Sequence, residues 1–95
     1  MLRRSMVFAP RSPEAHPDDL AALRREMQTG GICLVAVREL AAVDRDPARV
    51  MALLRECEEW DARVLVLQGR LQHLPMRWLL AYLRDRMAEG LEVDG

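Results

Sequence analysis

A serine surrounded by guanidinium groups suits phosphoryl transfer through a covalent intermediate. The hydroxyl attacks phosphorus, and the cations stabilise charge developing on its oxygens. Three segments of this chain supply such groups. Residues 10–16 carry Arg11, Ser12, Glu14 and His16; residues 38–45 carry Arg38, Glu39, Asp44 and Arg45; residues 68–74 carry Arg70 and His73. Ser and Arg are common in loops, so a solvated, non-catalytic role fits the same residue types. Other chemistries find less support. Gly30 and Gly31 precede an apolar run, whereas a phosphate-binding glycine loop follows a strand and opens a helix. His16 and His73 are too isolated to define a metal site, and each suits a helix cap or a solvated loop. Cys33 and Cys57 lie far apart in apolar patterns, with neither zinc nor disulfide-framework spacing. They read as small buried hydrophobes in a reducing compartment. No cofactor and no metal is implied.

Strands and helices must bring these segments together. Residues 5–9 read as a short strand, followed by a proline-rich loop. Pro17 suits a first helical position, with Asp18 and Asp19 at the positive end of the helix dipole. Leu20, Leu23 and Met27 share a face, and Gly30 and Gly31 end that helix. Residues 32–37, ICLVAV, form a continuous apolar run, the pattern of a strand buried on both faces. Residues 38–45 connect it to a second helix, capped by Asp46 with Pro47 at its first position. Val50, Leu53, Leu54 and Cys57 make its inner side. Residues 62–68 read as a third strand. Pro75 opens a third helix with Leu79, Leu80, Leu83 and Met87 on its apolar side. Gly90 ends it, and residues 91–93 offer a fourth strand. The expected fold is therefore α/β, in the order β-α-β-α-β-α-β, with a small, mainly parallel four-stranded sheet flanked by helices. In such sheets ligands gather beyond the carboxyl ends of the strands. The three chemistry-bearing segments all fall there.

The chain has 95 residues, 51% of them apolar, which is enough for one packed domain spanning residues 1–95. A domain this small makes partner burial or self-association a natural expectation. All 14 cationic residues are arginine, which coding bias explains more simply than selection for bidentate phosphate contacts. The formal charge of -1 gives no bulk attraction to nucleic acid, leaving only a local patch. Arg70, Arg77 and Arg84 recur every seven residues and read as a solvated stripe opposite Leu80 and Leu83, with a phosphate-tracking stripe as the alternative. Trp60 and Trp78 read as packing residues. No signal peptide and no membrane span is expected, so a cytoplasmic location follows.

The order and spacing of these segments resemble the catalytic domain of resolvase/invertase-type serine recombinases. Those domains begin with a strand ending Tyr-x-Arg-x-Ser, and FAPRS sets Phe8, Pro10 and Ser12 at those places. DLAALRREM is similar to the family's first helix, and VDRDPARVMALL sets Asp44 and Arg45 before the next. The family's third strand runs into Leu-Asp-Arg-Leu-Gly-Arg. Here LQGRLQH puts Gly69 at the Asp, Arg70 and Leu71 at their counterparts, and His73 at the second Arg. MAEGLEV is similar to the following helix and strand.

The resemblance implies a resolvase-like fold in which Ser12 is the nucleophile on a DNA phosphate. Arg45 and Arg70 would be the phosphate clamps, with Arg11 and His73 as further phosphate-side contacts. It also implies losses. Pro10 replaces an Arg, Gly69 replaces an Asp, and His73 is at best a partial cation; Arg11 lies one residue off, on the other side of a strand. Each lost guanidinium would cost roughly 10²-fold or more, by analogy with oxyanion donors. The chain ends where the family continues into a long dimer-building helix and a sequence-reading domain. Three functions stay open. One is a degenerate, stand-alone recombinase-like domain with a DNA-associated binding or regulatory role, paired with DNA, with a full-length recombinase or with itself. Another is a residual enzyme that nicks or joins DNA through Ser12. The last is a small α/β interaction domain with no nucleic-acid role.

Overall fold

The structure is a computed structural model and describes residues 4–8 and 16–94. The chain order is β1 (Arg4–Phe8), α1 (Pro17–Gln28), β2 (Ile32–Val37), a short 3-10 helix (Leu40–Ala42), α2 (Pro47–Glu59), β3 (Arg63–Val66) and α3 (Met76–Glu89). Three strands form one sheet in the order β1-β2-β3, and both pairings are parallel. The fold is thus α/β with a parallel sheet, as the alternation of elements implies. The expected fourth strand is not formed; residues 91–94 are irregular chain. Their polar backbone is engaged elsewhere, since the Val93 amide donates to the Arg45 carbonyl at 2.8 Å.

Local signals set the helices. The side chain of His16 accepts from the Asp18 amide, while the Asp19 carboxylate accepts from the His16 amide, a reciprocal cap that starts α1. Asp46 caps α2 through the Ala48 amide, with Pro47 next. The Asp44 carboxylate accepts from the Asp46 amide at 2.8 Å and fixes the entry angle. Gly90, at φ 69°, ends α3 in the left-handed region, where a glycine carries no Cβ penalty.

Connections between parallel neighbours are right-handed as a rule, so α1 and α2 lie on one face of a sheet ordered β1-β2-β3. Arg24 on α1 pairs with Glu56 on α2 at 2.7 Å, and the Cys57 and Met27 sulfurs meet at 3.5 Å between the same helices. Met6 and Phe8, Val35 and Val37, and Val64 and Val66 are matched across the sheet and form its helix-facing side. The register shifts by one residue between Arg4 and Ser5. The extra residue in β2 lets both Ile32 and Val35 enter the core, three positions apart. α3 packs on α2 through Leu79 and Leu83, both fully buried. The opposite sheet face carries Ser5, Val7, Leu34, Ala36 and Leu65, of which Ala36 is buried and Leu34 and Leu65 are half-buried. Val7 is 64% exposed there. The pattern of β2 therefore describes burial by strands on both edges and by helices on one face.

Several side chains depart from expectation. Met87 is exposed instead of joining the inner side of α3, and it borders a surface depression with Pro47 and Leu91. Trp60 and Trp78 are exposed and not core residues; the Arg77 guanidinium lies 5.8 Å over the Trp78 ring. Arg70 precedes α3, so it does not extend a stripe along that helix with Arg77 and Arg84. Cys57 is fully buried as expected, whereas Cys33 is only half-buried. Burial pushes the Cys57 thiol up from 9.0 to about 11, and the Glu56 carboxylate adds to this.

Two measurements check this packing. Leu54→Ala, at a fully buried site, lowers unfolding free energy in urea by about 2–5 kcal/mol, whereas Val7→Ala changes it by less than ~0.5 kcal/mol. A thiol reagent modifies Cys33 in the native protein and reaches Cys57 only on unfolding. The raised Cys57 thiol favours folding fully below pH 9.0, and that contribution is lost as pH climbs from there to about 11.

Candidate functional site

Because the strands are parallel, the chain leaves all three at one rim. Two of the three chemistry-bearing segments, residues 38–45 and 68–74, are described there. Ser12, Arg11 and Pro10 lie outside the described residues. The ladder continues past the strand ends: the Leu67 amide donates to the Val37 carbonyl at 2.9 Å, and Gln68 to Arg38 at 3.1 Å. The Gln68 side-chain amide donates to the Glu39 carboxylate at 2.8 Å, so the second and third loops are tied together. Sequence reasoning placed both residues at the rim but did not foresee this strut.

Residues 67–75 turn tightly. The His73 amide donates to the Val66 carbonyl at 3.0 Å and the Gln72 amide to the Gly69 carbonyl at 3.2 Å. Leu71 is buried and anchors the turn, while Arg70 and His73 stay exposed. Gly69 has φ 87°, a conformation a side chain disfavours, and His73 also lies in the left-handed region at φ 60°. This backbone accounts for glycine at the position where the resembling family carries an aspartate. The side chain of His73 makes no hydrogen bond or ion pair among the described residues.

Among the described residues, Arg45 and Arg70 border different depressions. Arg45 borders one of about 470 Å³ with Asp46, Pro47, Ala48, Met87 and Leu91, and its guanidinium lies 3.9 Å from the Glu92 carboxylate. Both groups of that pair are well exposed, which makes it a weak one. Arg70 borders a second depression, of about 320 Å³, with Gly69, Leu71, Tyr82, Arg86 and Asp94. Residues 91–94 reach both. Glu92 faces Arg45, Asp94 borders the Arg70 depression, and Val93 is buried between them. Two bonds join the Tyr82 hydroxyl to the Asp94 backbone, accepting from its amide at 2.8 Å and donating to its carbonyl at 3.2 Å. Arg86 donates to the Glu92 carbonyl at 2.8 Å and lies 5.8 Å over the Tyr82 ring. Tyr82 and Arg86 were missed from the sequence, where they read as ordinary helix-surface residues. Their one signal is four-residue spacing on a helix, which sets them on a common face.

His16 is accounted for by capping. Among the described residues no cluster of His, Cys, Asp and Glu could hold a metal ion, and no helix is long and apolar enough to cross a membrane. No protein-family model, curated protein or solved structure matches this chain.

The tight turn yields a direct check. Gly69→Asp lowers stability by about 1–2 kcal/mol in chemical denaturation, through strain at φ 87°. Arg70→Gln, at an exposed position with no partner among the described residues, leaves it unchanged within ~0.5 kcal/mol.

Proposed function

We propose that this chain is a recombinase-like domain that contacts DNA phosphates through the arginines of its carboxyl rim and has lost efficient strand exchange. The role is binding or regulatory, at DNA or beside a full-length recombinase. The observation that carries this reading is that Arg45 and Arg70 border different depressions among the described residues, one lined by Glu92 and the other by Asp94. Phosphoryl transfer needs its cations focused on one phosphorus within tight geometric limits. Backbone contact with nucleic acid needs only cations spread along a surface, each neutralising one phosphate. The resemblance to serine recombinases supplies the ligand class, and Pro10 and Gly69 remove charged groups that strand exchange would use.

A second reading, self-association without nucleic acid, is favoured by the open sheet face around Val7, Leu34 and Leu65 and by the net charge of -1. Parallel sheets are as a rule covered on both faces, and so small a domain gains most from burying this face against a second copy.

Gel-shift titration with duplex DNA from low to moderate salt separates the readings. The binding role predicts a salt-sensitive shift, no covalent adduct on supercoiled plasmid, and a log–log salt slope reduced by about 1 in Arg70→Gln. An adduct that disappears in Ser12→Ala contradicts it in favour of an enzyme. Absence of any shift at low salt, together with a dimer in analytical ultracentrifugation, contradicts it in favour of self-association.

A further inference from the structure

Arg70 reaches into the depression it shares with Arg86 and Tyr82, three groups from two separate parts of the chain. Arg70 makes no hydrogen bond or ion pair among the described residues. The Arg86 guanidinium commits its Nε to the Glu92 carbonyl and leaves its terminal nitrogens available. That bond and the Tyr82 ring beneath it orient the guanidinium, so less side-chain freedom is lost when a ligand binds. No Asp or Glu is within ion-pair distance of either arginine among the described residues. Among the described residues the one carboxylate on the wall is that of Asp94.

Two guanidinium groups facing one concavity repel each other unless an anion lies between them. A tetrahedral oxyanion satisfies both, because its oxygens accept paired N–H donors from each fork. The volume of about 320 Å³ accommodates a phosphate group and its first waters. We propose that Arg70, Arg86 and Tyr82 form a binding notch for a phosphate group, and that Asp94 competes for its cations from within the chain. The notch lies apart from the depression at Arg45 and uses two residues that the recombinase resemblance does not supply. It deepens the DNA-binding reading by naming where one phosphate sits, and it stands or falls separately from that reading. The phosphate can be free or part of a nucleic-acid backbone, since the contacts are to non-bridging oxygens in either case.

The test uses the whole chain, titrated with inorganic phosphate at constant ionic strength and followed by amide and arginine Nε–H chemical shifts. A parallel arm uses a short single-stranded oligonucleotide. The notch predicts saturable shifts at Gly69, Leu71 and Arg86 with phosphate. It predicts affinity lowered at least threefold in Arg70→Gln and in Arg86→Gln, with the double variant little worse than either single one, as for cations acting on one ligand. Asp94→Asn tightens binding severalfold. Arg70 has no partner among the described residues, so its variant stays folded even if Arg86→Gln loosens residues 91–94. Phosphate affinity unchanged in Arg70→Gln, or weakened in Asp94→Asn, overturns the notch. Phosphate binding that follows this pattern while the oligonucleotide fails to bind supports the notch for free phosphate and counts against the DNA reading. DNA binding indifferent to Arg70 and Arg86 does the reverse.

Discussion

The backbone ladder that β2 shares with β1 on one side and β3 on the other runs in the same sense on both sides. That shared direction fixes where everything else can be. Each strand must return to its own starting level through a helix before the next begins, so the links out of the strands collect at one rim. The core follows from the same constraint: Val35 and Val37 meet Met6 and Phe8 on one side and Val64 and Val66 on the other, under α1 and α2. The rim is then stiffened by polar contacts that prolong the ladder, ending in the bond from Gln68 to Glu39. A loop attached in this way holds Arg70 at a defined place without itself being buried.

The tail gives the rim its character. Val93 is buried, its amide is held by Arg45, and Tyr82 and Arg86 hold the backbone on either side of it. Anchoring residue 93 leaves its two acidic neighbours exposed, Glu92 beside Arg45 and Asp94 on the wall of the depression that Arg70 borders. Among the described residues, two cations that a catalytic reading would focus on one atom border different depressions, and only Arg45 has a carboxylate within ion-pair distance. Affinity for phosphate and efficiency in transferring it make different demands on the same residues. Spread cations with partial internal neutralisation serve the first and not the second.

Much of this was legible from residue types. Pro17, the pair Asp46 and Pro47, and Gly90 mark helix ends for stereochemical reasons that hold in any context, and those ends lie where these residues place them. The apolar run at 32–37 announced the central strand for a similar reason, since a strand flanked on both edges has little use for polar side chains. Tertiary choices were less visible. Residues 91–93 have the composition of a strand, but nothing local says that the Val93 amide will find the Arg45 carbonyl in place of a sheet edge. Leu40, Ala41 and Ala42 form a buried 3-10 turn in a segment that the sequence marks only as a connection. Trp60 and Trp78 look like core residues by type, yet they sit at a helix end and on an outer helix face. At the site, Arg45 and Arg70 were legible as rim residues, while their separation depends on the tail's path. Arg86 and Tyr82 joined the picture only because α3 brings that face beside residues 69–71.

The convergence of loops at one rim requires β2 to be the central strand with parallel neighbours, and inter-strand nuclear Overhauser contacts between backbone protons measure this directly. The parallel register predicts contacts linking Val35 to both Met6 and Val64, and Val37 to both Phe8 and Val66. Direct contacts between β1 and β3, with β2 displaced to an edge, or an antiparallel pattern at either pairing, would contradict it.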